Sequence, residues 1–445
     1  MNYSNPANLA VIACPGGEVF ADEVILHLKK GYHHRLERLA SKLAKRYGMD
    51  AAGVVHRINF INEVMAPAQY PQGNTEGFKV PRFKVPARFT LFANGEIKAE
   101  ILESIRGKDM YIIQDVENRY PVNFSGGDVK KALSVNDHLM TVFVTVDAAM
   151  QAGAERITLV LPNFPYARQH KAKGREGLTA SRVGKIFEGL GVNHIITLDI
   201  HSRDIVNAFN RIRLENLHAS YQIIRTLSRL DGVLNDDFVV VSPDTGAVDR
   251  NKFYASALKK PLALLYKERD YSRVSKDALE NNISEIKLLG NVRGKTVFMA
   301  DDMLGTGGTL LKGMRVLKEN GAGRVICAIS LPLFSGDAIS YFDQAYQEGL
   351  FYRIIGTNAV YQEEVLSRGW YISVNITGLF AQIITRLHQR LSLSSLLDNR
   401  GIITRLLADE RLLADEEPEG PPQGLLFSPA DGLPGVQDQK AHRES

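Results

Sequence analysis

Cysteine is scarce in this chain. Its 445 residues include two, Cys14 and Cys327, which excludes a disulfide framework and favours a reducing compartment. Both lie in apolar runs, LAVIAC and RVICAIS, that read as strands, so structural burial is expected for each. An excess of one charge is also lacking: 54 Lys and Arg face 50 Asp and Glu, a formal net charge of +4. Composition therefore does not point to nucleic acid, and any basic function must be local. No run approaches the ~20 apolar residues of a membrane span. The start, MNYSNPANLA, lacks the basic and apolar regions of a secretory leader. The expected location is the cytoplasm, with neither membrane nor nucleic acid as partner. What is present suits a folded protein, with 44% hydrophobic and 23% charged residues. At about 150 residues per domain the length has room for two or three.

From about residue 108 to 335 an apolar run, a polar or Gly-containing turn and a helical period alternate. Strands are expected at Asp109 to Gln114, Arg156 to Pro162, His194 to Asp199, Phe238 to Ser242, Leu262 to Tyr266, Thr296 to Ala300 and Arg324 to Leu331. Such alternation predicts an α/β fold of two doubly wound, mainly parallel sheets. Between strands, Val183, Ile186, Phe187 and Leu190 recur at helical spacing before Gly191, as do Leu310, Met314 and Leu317 before Gly321. The pattern places a first domain at 1–217, a second at 218–372 and a return to the first at 373–398. Two parts look added. Residues 33–90 combine a basic amphipathic helix (Leu36, Leu39, Leu43) with a Pro-rich polar stretch. Residues 399–445 hold the tandem RLLADE and an acidic, Pro- and Gly-rich run, expected to be disordered because it cannot bury enough apolar area to offset ordering entropy.

The sharpest motif is VFMADDMLGTGGTL: a buried strand ends in Asp301 and Asp302, and a Gly-rich turn leads into a helix. Glycines let backbone N–H groups close around a phosphate, and a helix N-terminus adds the positive end of a dipole. Two adjacent carboxylates suit sugar hydroxyls or a metal. Two basic clusters could neutralise phosphates: Arg168, Lys171, Lys173 and Arg175, then Lys267, Arg269 and Arg273.

The VFMADDMLGTGGTL run resembles the phosphoribosyl-pyrophosphate (PRPP) motif of type I phosphoribosyltransferases and PRPP synthetases. PNFPYARQHK, LDIHSRDI, VVSPDTGAVDR, LLYKERDYSR and FANGEIKAEILESIRGKDMYIIQ occur in the order seen in ribose-phosphate pyrophosphokinase, and the similarity covers roughly residues 88–376. The resemblance implies two type I phosphoribosyltransferase-like domains. It also implies transfer of pyrophosphate from Mg-ATP to the C1 hydroxyl of ribose 5-phosphate, giving PRPP and AMP.

By that resemblance Asp301 and Asp302 contact the ribose, and Gly305, Thr306, Gly307, Gly308 and Thr309 hold the 5-phosphate. Arg168 and Gln169 contact ATP, Lys267 and Arg269 stabilise the transition state from a closing loop, and His201 and Asp244 help hold Mg²⁺. Phe92, Asn94 and Glu96 form an adenine loop that reaches a neighbouring subunit, implying a homo-oligomer built from dimers, up to a hexamer. Departures from the usual pattern are Gly305 in place of an Asp, Ala247 in place of a Gly, and His170 directly after Gln169, where an Asp is missing. Two other functions compete. A PRPP-consuming phosphoribosyltransferase would leave ARQ and KER without a task, and a catalytically weak regulatory subunit would have no need of Lys267 and Arg269.

Overall fold

Apolar runs on both faces of short parallel strands set the architecture of the first half. After β1 (Leu9–Ala13) come α1 (Glu18–Tyr47), α2 (Ala51–Met65) and the hairpin of β2 (Ala87–Leu91) and β3 (Ile97–Ile101). Strand β4 (Asp109–Ile113), the short pair β5 (Val122–Asn123) and β6 (Lys130–Lys131), and α3 (Val135–Gln151) follow. The half closes with β7 (Arg156–Val160), α4 (Thr179–Gly189), β8 (His194–Leu198) and β9 (Arg213–Leu217). The sheet order is β1-β4-β7-β8-β9, parallel throughout. The structure, a computed structural model, describes residues 8–65, 76–124, 130–172, 174–230, 233–234, 237–269 and 283–408, with backbone alone at 62–65, 267–269 and 283–285.

The second half adds α5 (Ser220–Ser228), β10 (Phe238–Ser242), α6 (Val248–Leu258), β11 (Leu262–Arg269), β12 (Ile283–Leu289) and β13 (Thr296–Leu304). Then come α7 (Gly308–Glu319), β14 (Val325–Pro332), α8 (Ala338–Gln347), β15 (Arg353–Thr357), α9 (Glu363–Leu366) and β16 (Tyr371–Val374). Its order is β12-β11-β10-β13-β14-β15-β16, with only the edge strand β12 antiparallel. Alternation along the strands divides the core. Val11, Val240 and Phe298 belong to one apolar cluster shared by the two sheets, Ile12 to the outer cluster of the first, and Val241 to the outer cluster of the second. Both cysteines are buried, with Cys14 just past β1 and Cys327 within β14.

Three C-terminal helices follow: α10 (Thr377–His388), α11 (Ser394–Leu397) and α12 (Arg400–Ala408). Helix α10 packs on the first half. Phe380 meets Phe20 of α1 edge-on at 5.1 Å, the Tyr111 hydroxyl donates to Ile384 O at 3.3 Å, and His388 Nδ1 lies 2.9 Å from Asp109 Oδ2. Residues 399–408 are not disordered as composition suggests: Asn399 is buried, and α12 inserts Ile403 and Leu406 into the shared core. The rest of the acidic run, 409–445, lies outside the described residues, as does 66–75 of the Pro-rich stretch.

The basic helix expected from residue 33 is the second half of α1, which continues from Glu18 until Gly48 takes a left-handed φ of 64°. Its small core with α2 is one-sided, so Leu36 is buried with Val54 and Phe78 whereas Leu39 is exposed. On α4, likewise, Val183 and Phe187 are buried and Ile186 stays exposed. Among the described residues no helix is long and apolar enough to cross a membrane.

Candidate active site

The Gly-rich turn joins β13 to α7 at the end of the parallel strands where an α/β sheet offers a crevice. Gly307 sits at the N-cap of α7 with φ 75°, and no side chain caps the helix. A Cβ on Gly307 would lie 2.3 Å from the Phe342 ring, whereas one on Gly308 would meet nothing within 4 Å. The two glycines thus serve different ends, one packing and left-handed backbone, the other open space before the helix. Thr306 and Gly308 are exposed, and Gly305 and Thr309 half-buried. The turn is braced from the segment that follows β14: Phe334 N–H donates to Leu304 O at 3.0 Å and Ser335 N–H to Gly305 O at 3.1 Å.

Asp301 and Asp302 lie within the strand rather than at its end, because β13 keeps its pairing with β14 as far as Leu304 and Pro332. Alternation sends the two carboxylates to different surroundings. Asp302 is buried, 2.6 Å from His201 Nδ1 and 3.5 Å from Arg250 Nη1, and Asp301 lies 3.6 Å from the same Arg250 nitrogen. Burial opposes ionisation of Asp302, but the His201 hydrogen bond and the Arg250 charge hold its carboxyl well below the ordinary range. Burial, then the Asp302 charge, push Asp301 the other way, up to about 8, with Asp244 adding to the repulsion. Asp244 shapes its own turn, its Oδ1 accepting from Ala247 N–H at 3.0 Å; Ala247 is buried at the start of α6 in the place of the usual glycine.

Two residues beyond those singled out from the sequence organise this end of β13. Arg250 answers Asp199, Asp301 and Asp302 together. Asn251 clamps the strand one residue before the acids, accepting from Ala300 N–H at 2.9 Å and donating to Ala300 O at 2.8 Å. Both follow directly on the SPDTGAVD run, but a lone Arg-Asn on a helix carries no signal of which strand it faces. Asp199, at the end of β8, is a third. It accepts from Ser330 Oγ at 2.6 Å and lies 2.7 Å from His218 Nδ1, linking the two sheets next to LDIH.

The residues expected to hold the nucleotide are spread more widely. Arg168 reaches across from the first half, its Nε 2.8 Å from Met303 Sδ, and a Cβ on Gly305 would come within 3.3 Å of its Nη2. A side chain in place of Gly305 would therefore meet this guanidinium. Gln169 is exposed beside it, and His170 stacks edge-on with His201 at 5.3 Å. Phe92, Asn94 and Glu96 lie at the tip of the β2–β3 hairpin, where Phe92 is 47% exposed and Asn94 Oδ1 accepts from Glu96 N–H at 3.1 Å. Lys267 and Arg269 are not in an irregular loop as the polar KER sequence suggests. Their backbone extends β11, with Lys267 opposite Ile286 and Arg269 opposite Ile283, because β12 supplies an antiparallel partner. Residues 270–282, including Arg273, lie outside the described residues, as does Lys173.

Likeness to known proteins spans both halves. Residues 78–191 match the N-terminal domain of ribose phosphate pyrophosphokinase and residues 210–344 the phosphoribosyl transferase domain. Ribose-phosphate pyrophosphokinase 2 of Schizosaccharomyces pombe is 34% identical over 308 residues, 68% of this chain and 87% of that one. Ribose-phosphate pyrophosphokinase A of Dictyostelium discoideum is 35% identical over 307 residues, again 68% and 87%. The crystal structure of phosphoribosylpyrophosphate synthetase from Mycobacterium smegmatis matches with a TM-score of 0.61 at 25% identity, over 86% of this chain and 99% of that one. With relatives at 34–35% identity covering 68% of the chain, and the turn between β13 and α7 inside the matched transferase domain, the chain belongs to the ribose-phosphate pyrophosphokinase family.

Proposed function

We propose that this chain is a ribose-phosphate diphosphokinase, moving pyrophosphate from Mg-ATP to the C1 hydroxyl of ribose 5-phosphate. The observation that carries the reading is the paired acids and uncapped Gly-rich turn on β13 and α7, with Arg168 of the other half beside them. The C1 oxygen bonds to the β-phosphorus and loses its proton to solvent, the bond from that phosphorus to the oxygen bridging to the α-phosphate breaks, and AMP leaves with that oxygen. Positioning and charge neutralisation do most of the work in such a transfer.

The backbone from Gly305 to Thr309 binds the 5-phosphate, as N–H groups at a helix start do. Asp301 and Asp302 accept hydrogen bonds from ribose hydroxyls. Arg168 and Gln169 hold the nucleotide, Arg168 as a rigid donor fork between its phosphates and the phosphate turn. Lys267 and Arg269, late on β11, supply cations to the oxygens on which charge grows. The domain division follows the same reading: 1–217 holds the five-stranded sheet, 218–372 the seven-stranded one but for the end of β16, and 373–398 returns to the first.

Among the described residues no three His, Cys, Asp or Glu side chains gather as a metal cluster. Mg²⁺ suits such a site because it keeps waters and phosphate oxygens as ligands. The raised Asp301 carboxyl next to Asp302 and Asp244 also fits a place for an added cation. His201 and Asp244 would hold it, and when bound it neutralises phosphate oxygens and fixes their orientation. The exposed Phe92 loop supports completion of the ATP site in a neighbouring subunit, hence a dimer-based homo-oligomer. A coupled assay for AMP release tests the whole reading: AMP forms only with ribose 5-phosphate present, and AMP production independent of the sugar overturns it.

A further inference from the structure

The loop after β4 crosses from the first half of the molecule to the second. Arg119 donates through Nη1 to the backbone carbonyl of Phe334, and its Nη2 lies 3.9 Å from Glu364. The neighbouring Tyr120 ring meets Tyr361 edge-on at 5.1 Å, and its hydroxyl accepts from Glu364 N–H at 3.2 Å. Asp115, at the root of the loop, is buried and accepts from Tyr361 N–H at 2.9 Å and from Glu117 N–H at 3.0 Å. Glu117 in turn accepts from Asn163 Nδ2 at 3.0 Å and lies in the field of Arg168. Three residues of one loop therefore grip the other half, and a fourth faces the arginine assigned to the nucleotide.

What Arg119 holds matters because of what the Phe334 peptide holds. Phe334 N–H bonds Leu304 O, and the next N–H, of Ser335, bonds Gly305 O. The Phe334 ring packs edge-on at 5.9 Å against Phe342, the ring that lies under Gly307. A guanidinium donor thus fixes the carbonyl of the peptide on which the phosphate turn rests, and a hydrogen bond from a charged donor is stronger than a neutral one. Arg119 itself is a third exposed and pairs outward with Glu364, so it can act as a tie without being part of the core.

We propose that Arg119 is a positioning residue for ribose 5-phosphate. It holds the Phe334–Ser335 support so that the N–H groups of Gly305 to Thr309 converge on the 5-phosphate, and it touches neither substrate. The proposal rests on the reading of that turn as the ribose 5-phosphate site. It is tested by calorimetric binding of ribose 5-phosphate, steady-state kinetics and thermal melting of the full chain, for wild type, Arg119→Ala, Arg119→Gln and Glu364→Gln.

The expected result is a rise of roughly tenfold in the Kd and KM for ribose 5-phosphate in both Arg119 variants, the scale of losing one hydrogen bond from a charged donor. Turnover at saturating sugar, the KM for ATP and the Tm should stay near wild type. Glu364→Gln keeps the Arg119 donor and should bind ribose 5-phosphate as wild type does. If Arg119→Ala does not fold, Arg119→Gln decides alone, since it retains most of the stem but is too short to reach the carbonyl. Unchanged sugar affinity in the Arg119 variants overturns the proposal, as does a joint loss of both substrates with a lowered Tm. A wild-type chain that binds no ribose 5-phosphate overturns the reading of the turn, and this proposal with it.

Discussion

Single residues at this site do opposite things with the same chemistry. Asp301 and Asp302 are adjacent carboxyls, yet His201 and Arg250 keep one ionised while burial and the first charge push the other up to about 8. Titratable pairs whose environments push their pKa values apart are candidates for a functional site. Lys267 and Arg269 present the converse case of two cations on one strand. If they act on charge that develops during transfer, Lys267→Ala and Arg269→Ala should each lower turnover by about 2.7 to 4 kcal/mol in activation free energy, the scale of other charge-stabilising groups. ATP affinity should largely survive. A solvated basic strand end would instead shift either quantity by no more than roughly 0.5 kcal/mol. AMP formation and ATP binding measured on both variants separate the two, and near-normal turnover in both removes the catalytic role.

At the scale of elements, the turn between β13 and α7 sets a packed glycine, Gly307, next to an open one, Gly308. Gly307→Val must place a β-branched side chain at φ 75° and against the Phe342 ring. It should therefore lower the Tm by several degrees, as about 1 kcal/mol or more of strain does. A Cβ at Gly308 meets no atom within 4 Å, and the backbone there is not left-handed, so Gly308→Val enters open space. It should leave the Tm nearly unchanged while raising the KM for ribose 5-phosphate, because its side chain fills the space the phosphate needs. Equal sugar kinetics in Gly308→Val and wild type would move the phosphate elsewhere.

The same elements show what a sequence reveals. The acids and the turn are legible because they form one contiguous run with a local conformational demand. Arg250 and Asn251 are not, since their partners Asp302 and Ala300 lie about fifty positions further along. Strand β11 outlasts its apolar run for a related reason: KER has no strand pattern, but pairing with β12 supplies the backbone hydrogen bonds. Helix α12 also escapes composition, because burial of Ile403 and Leu406 against the rest of the fold decides it.

At the scale of the whole molecule, contacts that cross between the halves, such as Asp115 with Tyr361 N–H, carry predictions about pH and about assembly. Burial raises the Asp115 carboxyl from an ordinary 3.8 to about 7, against hydrogen bonds from the Tyr361 and Glu117 amides. A folded-state pKa above the unfolded value means that the native state holds the proton more tightly. The Asp115 contribution is therefore complete below about pH 4 and is lost as pH rises to about 7. Asp115→Asn should remove this part, so that its difference in unfolding free energy from wild type changes between pH 4 and pH 7.5. A pH-independent difference across denaturant titrations would deny Asp115 this role. Assembly makes the sharper demand. Phe92 is exposed at the tip of a hairpin that belongs to the first sheet's side, while Arg168 reaches the phosphate turn of its own chain. If each ATP site takes Phe92 from one subunit and Arg168 from another, Phe92→Ala and Arg168→Ala damage different contributions to the same site. Each variant alone should be weakly active, with no intact site in its homo-oligomer. Mixed under conditions that exchange subunits, the two form hybrids in which one site of a symmetric pair carries both lesions and the other carries neither. Activity should then rise well above the sum of the separate variants, toward a quarter of wild type when half the molecules are hybrid dimers. Activity that stays additive despite exchange verified by a tagged subunit would place Phe92 and Arg168 in the same subunit's site, and a fully active monomer in sedimentation would remove the shared site altogether.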